Sequence, residues 1–345
     1  MTNAYEKSPT LPQRMSRLLW RRAAKKPLSE RGMVATQEQI VRMMDLTPPL
    51  AKQKPQKARK TYLLLDKLFG CNEVQLADVA DYAVSTDADD MLVRVYTPEA
   101  AQACDDSPCL VYFHGGGVVI GDLNTHDKFC RVVAEQSGFV VVSVDYRLSP
   151  EVQFPVPVED AIRGWNWVCE NAEGLGIDLN RTGVGGDSAG GYMAVSVCHQ
   201  AKQVSLAVAP LRMPAFQWLI YPMLDCRLET ESTKRCTERM ALTRETMAYF
   251  FDHYLPASVD RADPVVSPAL ADDLSGLPKA YLSTAGFDPL EDEGRAYAEA
   301  FQRQGGDITT EHFPDVMHGF IGFTGICPTS AGYVSSMVQK LVKLA

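Results

Sequence analysis

The chain has 345 residues, 46% of them hydrophobic and 22% charged, and carries a formal net charge of −9. Those proportions are close to the globular average and exclude a disordered chain, a collagen-like fibre and a general nucleic-acid binder. The charge is uneven, since 15 of the 34 Lys and Arg but only 6 of the 43 Asp and Glu lie in residues 1–75, which sets a separate basic element on an acidic body.

Proline interrupts a helical texture in residues 1–75. Met15, Leu18, Leu19 and Trp20 recur at helical spacing among Arg14, Arg17, Arg21 and Arg22. That pattern suits an amphipathic helix packed on the body, or one that touches a membrane surface. Residues 50–60, beside Pro48 and Pro49, read as a hinge or linker. Tyr82–Ser85 and Met91–Tyr96 alternate as two strands joined by the acidic turn Asp87–Asp90. Short apolar runs then follow at Cys109–His114, Phe139–Asp145, Gly183–Gly186, Gln217–Tyr221, Lys279–Ala285 and Ile308–Phe313. Helical stretches near 125–137, 158–172, 189–202, 292–304 and 331–344 separate most of them. Unalternated apolar strands are buried on both faces, as in a parallel sheet, so the pattern predicts one α/β domain. Residues 223–262 break the rhythm with the helical, aromatic-rich Thr243–Leu255, the pattern of an insertion on the ligand side of the sheet.

The nine cysteines are irregularly spaced and include no CxxC pair. That supports neither a zinc site nor a disulfide framework and fits a reducing compartment. Met1–Pro12 lacks the apolar core of a signal peptide, and no run of 18 apolar residues occurs. The expectation is a cytoplasmic protein without stable membrane insertion.

The sharpest local signal is Gly186-Asp187-Ser188-Ala189-Gly190, a G-x-S-x-G sequence between a strand and a helix. A turn that sharp lifts its serine out of the sheet at a helix N-terminus, where free N–H groups favour a developing anion. A glycine-rich phosphate turn is the competing reading, weakened by the lack of a Lys at P-loop spacing. His114-Gly115-Gly116-Gly117 ends an apolar strand. Two of the three glycine amides, together with that of Ala189, suit an oxyanion hole. Gly116 and Gly117 are favoured, although the sequence leaves the pair open, and His114 is expected to be a structural hydrogen-bonder. A serine hydroxyl needs a base, and the base an orienting acid, in the chain order Ser, Asp, His. His318 lies in a loop after the last strand, whereas His312 lies inside that strand. Asp288 ends the preceding strand, whereas Glu291 and Asp292 open the next helix, where acids are usual.

With HGGG, GDSAG and the Asp288 and His318 segments in this order, the chain resembles the hormone-sensitive-lipase-like (bacterial family IV) esterases of the α/β-hydrolase fold. Val118–Asp122, Asp145–Glu151 and the Asp288-Pro289-Leu290 segment with Asp292-Glu293-Gly294 add to the likeness, which covers about residues 80–345. Val152-Gln153 departs from it, standing where relatives carry a His-Pro-like pair. The GDSAG form looks like the larger of two subgroups. The resemblance implies a helical cap from residues 1–75 and 223–262 over a hydrolase core of 76–222 and 263–345. It also implies a Ser188–His318–Asp288 triad acting on short- to medium-chain acyl esters, with no cofactor or metal. Arg147 and Glu151 are expected to brace loops near the site. Trp20, Phe250, Phe251 and Tyr254 are expected either to line the pocket or to pack the core. A second copy pairing through the strand at 308–313 is a further expectation. An amidase, thioesterase or lactonase with the same triad, and a non-catalytic receptor on this scaffold, stay open beside the esterase.

Overall fold

A computed structural model describes residues 32–44, 46, 48–87, 90–102, 104–204, 211–236 and 240–345. The Arg-rich helix expected around Trp20 lies outside the described residues, as do positions 88 and 89 of the acidic turn. Eight strands form one sheet: β1 (Asp78–Val84), β2 (Met91–Thr97), β3 (Ser107–Phe113), β4 (Val140–Val144), β5 (Ile177–Asp187), β6 (Gln217–Ile220), β7 (Ala280–Phe287) and β8 (Ile308–Met317). The order across the sheet is β1-β2-β4-β3-β5-β6-β7-β8. β1 and β2 pair antiparallel from Val84↔Met91 outward, as the hairpin pattern requires, and β2 runs antiparallel to β4. All the remaining pairings are parallel.

The described helices are α1 (Ala35–Met44), α2 (Pro55–Phe69), α3 (Leu123–Ser137), α4 (Val156–Glu170), α5 (Ala189–Val204), α6 (Glu231–Arg235), α7 (Arg244–Tyr254), α8 (Glu291–Arg303) and α9 (Pro328–Val342). They cover both faces of the sheet because the central strands are apolar on both. Cys109, Val111 and Phe113 of β3 join a core with α4 and α5. Leu110 and Tyr112, pointing the other way, join one with α3 and α9. Burying two apolar faces of one strand requires a helix layer on each side, which is what parallel crossover connections supply.

Two expectations change. The stretch read as a linker at 50–60 is instead a short 3-10 turn, Leu50–Lys52, followed by α2. Pro55 sits in the first turn of α2, where its missing N–H costs nothing, and Ala58 and Phe69 supply the buried contacts. β1 also begins four residues earlier than its alternation suggested; it is an edge strand, and most of it is exposed or half-buried.

Candidate active site

The parallel strands deliver their motifs to one end of the sheet. Ser188 follows β5, Asp288 follows β7, His318 follows β8 and the glycine loop follows β3. Loops outside the carboxyl ends of such strands are where ligands of open α/β sheets bind. Ser188 has φ +55°, a left-handed conformation that a non-glycine residue adopts only when its surroundings enforce it. Here its N–H donates to the Ile220 carbonyl at 2.9 Å, and its own carbonyl accepts from Met223 at 3.0 Å. A Cβ at Gly190 would overlap the Phe113 carbonyl, so the tight approach of turn and β3 demands glycine there.

The three residues expected to cooperate are brought together. His318 Nε2 lies 2.9 Å from Ser188 Oγ. His318 Nδ1 lies 2.7 Å from Asp288 Oδ2. The other oxygen of Asp288 accepts the Leu290 amide at 2.8 Å, which fixes the carboxylate. The Tyr221 ring packs 4.6 Å from the His318 imidazole and limits its rotation. All three residues are buried. The competitors are occupied elsewhere. Glu291 pairs with Arg235 and Arg295, Asp292 accepts from the Ser232 amide, and His312 Nδ1 meets Thr284 Oγ1.

The glycine loop resolves into two parts. The Gly115 amide donates to Asp187 Oδ1 at 2.8 Å and is engaged there. Gly116 and Gly117, with φ +119° and +61°, line the same cavity as Ser188. The Ala189 amide opens α5, where it has no intrahelical acceptor. His114 is fully buried, stacks on Tyr146 at 4.4 Å and has its Nδ1 2.8 Å from the Gly115 carbonyl. Burial, with a smaller contribution from nearby His126, pushes its pKa down to about 4 and keeps it neutral.

The cavity holds about 130 Å³. Its apolar wall includes Met44, Leu50 and Leu65 from the N-terminal side and Leu242, Met247 and Phe250 from the insertion. Phe251 also lines it, whereas Tyr254 lies buried in the core, 3.1 Å from the Tyr192 hydroxyl. Arg147 holds the buried Asp160 through two 2.7 Å bonds. Glu151 binds Arg59, whose guanidinium also donates to the carbonyls of Val119 and Ser149. Sequence reasoning missed three residues that tie the segments of the site together, Gln37, Arg59 and His126, and took Glu293 only as part of a family likeness without a role. Each acts through a partner distant in the chain. Among the described residues no cluster of metal-ligating side chains occurs. Among them, also, no helix is long and apolar enough to cross a membrane.

Comparison with known proteins gives the same architecture. The family profile described as alpha/beta hydrolase fold matches residues 110–322. The carboxylic ester hydrolase LipN of Mycobacterium tuberculosis is 38% identical over 267 residues, covering 76% of this chain and 70% of its own. The ethyl acetate hydrolase of Pseudomonas putida is 36% identical over 265 residues, covering 76% of this chain and 82% of its own. The solved structure of the hyperthermophilic esterase from Pyrobaculum calidifontis matches with a TM-score of 0.82 at 34% identity, over 93% of this chain and 100% of that one. With its fold, its serine turn and these relatives in agreement, the chain belongs to the α/β-hydrolase family and, within it, to the hormone-sensitive-lipase-like carboxylesterases.

Proposed function

We propose that the protein hydrolyses short- to medium-chain acyl esters through an acyl-enzyme on Ser188, with His318 as general base and Asp288 as its orienting acid. The carrying observation is the unbroken run of hydrogen bonds from Asp288 through His318 to Ser188 Oγ, at 2.7 and 2.9 Å, on the floor of the cavity. Ser188 Oγ attacks the ester carbonyl while His318 Nε2 takes the hydroxyl proton, and Asp288 stabilises the imidazolium. The amides of Gly116, Gly117 and Ala189 receive the negative oxygen, each contributing on the order of 10²–10³ in rate. The Gly115 amide, already given to Asp187, is left out of that set. His318 then returns the proton to the leaving alcohol. Water attacks the acyl-enzyme with His318 again as base, and the freed acid leaves Ser188 as it began.

Residues 32–75 and 223–262 act as the cap, since both supply walls of the cavity. A 150 Å³ apolar cavity takes up benzene, so a space of this size suits an acyl group of roughly four to six carbons. Nine unpaired cysteines support a reducing, cytoplasmic setting. The outer edge of β8 suits pairing with a second copy, which light scattering would read as twice the chain mass.

The test is a series of p-nitrophenyl esters from acetate to palmitate, with matched butyryl amide and thioester, on wild type and Ser188→Ala. The expected result is a maximum at short chains, a preference for ester, and a loss above about 10⁴-fold in kcat for the variant. A palmitate maximum would reject the chain-length reading, a faster thioester or amide the reaction class, and an active variant the nucleophile.

A further inference from the structure

A second buried polar cluster lies directly beneath the glycine loop and takes no part in the triad. Its centre is Asp187, the residue before the nucleophile. Three donors converge on one of its oxygens, Oδ1: the Tyr112 hydroxyl at 2.6 Å, the Gly115 amide at 2.8 Å and His126 Nε2 at 3.3 Å. An oxygen ringed by three donors carries no proton of its own, and those donors favour the carboxylate over the acid.

The surroundings of His126 favour the same charge pairing. Thr125 Oγ1 accepts the Asp122 amide at 2.9 Å and lies 2.9 Å from both the Asp122 carbonyl and His126 Nδ1. With the hydroxyl proton on the carbonyl, Nδ1–H donates to Thr125. Nε2 faces the Asp187 carboxylate at 3.3 Å. That arrangement, hydrogens on both nitrogens, is the imidazolium, and the acidic neighbours favour it.

We propose that His126 is a positioning residue of the oxyanion hole: its positive charge holds the Asp187 carboxylate in place, Asp187 holds the Gly115 amide, and the fixed Gly115 sets the next two amides toward the reacting carbonyl. This rests on the proposed role of Gly116 and Gly117. The fit is tight, because a Cβ on Gly115 would overlap the Asp187 carboxylate.

The groups facing His126 come from every neighbouring element. Asp187 belongs to β5, and Tyr112 and His114 to β3 and its end. Tyr62 and Asp66 come from α2, the latter paired with Lys128 at 3.1 Å, and Asp122 caps α3. Burial opposes the charge on His126, but Asp187, Asp66 and Asp122 outweigh it and raise its pKa above the ordinary value. Burial likewise opposes the charge on Asp187, and His126 with Tyr112 outweighs it, lowering that pKa. A raised histidine pKa gives stabilisation that is full below the ordinary value and is lost as pH rises through the folded one. Hydrolysis should therefore show an alkaline limb that belongs to His126 rather than to the catalytic imidazole.

The experiment follows the His126 ring and the Gly115 amide by NMR across pH in the wild type, beside kcat and KM for p-nitrophenyl butyrate. The same kinetics are run on His126→Gln, which keeps a neutral donor. The expected outcome is a His126 titration above about 6.5, a Gly115 amide shift that tracks it, and a fall in kcat with the same midpoint. His126→Gln should lose that limb and about 10-fold in kcat with KM nearly unchanged, less than outright loss of an oxyanion donor. A His126 that titrates at or below the ordinary value would overturn the proposal. A Gly115 amide indifferent to it, or a Gln variant with the wild-type limb and kcat, would do the same. If the wild type hydrolyses no ester, the reading of the site fails, while the two NMR titrations still decide whether His126 governs Gly115.

Discussion

The floor and the roof of the cavity are built on different principles. The floor is set by backbone. Ser188 is bonded to Ile220 and Met223, the His318 amide donates to Phe287, and Asp288 receives the Leu290 amide, all at strand ends. The roof, the described residues of 32–75 and 223–262, lines the cavity largely with apolar side chains. Its described portion exposes Leu46 and Leu64 at 81% and 53%. Among the polar side chains that tie roof to floor, three act beside the candidate site. Gln37 of α1 accepts the Met317 amide at 2.6 Å, one residue before His318. Arg59 of α2 holds the Val119 carbonyl at 2.9 Å, just past the glycine loop. Glu293, beside the Asp288 segment, accepts the amides of Leu224 and Asp225 at 2.6 and 3.1 Å, where the insertion begins. A floor of backbone bonds tolerates few substitutions without loss of chemistry. A roof held by side chains is open to change in reach and selectivity.

The comparison predicts its largest effect on the floor. Asp288→Asn keeps the shape of the buried side chain but presents the wrong hydrogen-bonding partner to His318 Nδ1. The loss expected is about 10⁴ in kcat with little change in KM or melting temperature. Steady-state kinetics beside a thermal melt measure this, and a loss of stability equal to the loss of activity would place Asp288 among structural residues instead.

The next effect lies where floor meets roof. A Cβ at Gly117 would overlap the Phe250 ring of α7, and the position has φ +61° besides. Gly117→Ala should lower kcat about 10²-fold by displacing an oxyanion donor. The double variant Gly117→Ala, Phe250→Ala separates the two causes. Recovery of most of the rate would show that the roof's ring, rather than backbone strain, holds the loop. No recovery would assign the whole effect to the floor.

The same division explains what could be read from the sequence. Strands β3, β4 and β7 are legible because both faces are buried and their runs are continuously apolar. Ser188, Asp288 and His318 are legible because strand ends and turn chemistry are local. The Gly115 amide could not be told from those of Gly116 and Gly117, because what engages it is the carboxylate of Asp187, 72 residues away. Helix α2 was hidden by its basic, proline-led start, since only two of its residues are fully buried. Gln37 and Met317 are 280 residues apart, and Arg59 and Glu151 are 92 apart. Such clamps leave no periodicity in the chain, because a single polar side chain meeting a distant backbone group has no local pattern.

The smallest expected effect tests which part of a clamp matters. Arg59 makes two kinds of contact: buried-side bonds to the carbonyls of Val119 and Ser149, and an ion pair with Glu151, whose side chain is half exposed. The hydrogen bond from Arg59 holds the Glu151 carboxyl below its usual pKa. A depressed carboxyl contributes stability that is present above the ordinary value and lost as pH falls through the folded one, so acid removes the ion pair and leaves the carbonyl bonds intact. Exposed pairs of this kind contribute only about 0–1 kcal/mol, whereas a carbonyl deprived of a charged donor costs about 1–3 kcal/mol. Arg59→Met should therefore destabilise by about 2 kcal/mol and slow kcat several-fold through the loop it holds. Glu151→Gln should cost under about 1 kcal/mol and leave kcat unchanged. Urea unfolding and kinetics on both variants decide the matter: equal losses would mean that the surface charge pair, and not the grip on the backbone, ties the roof to the oxyanion loop.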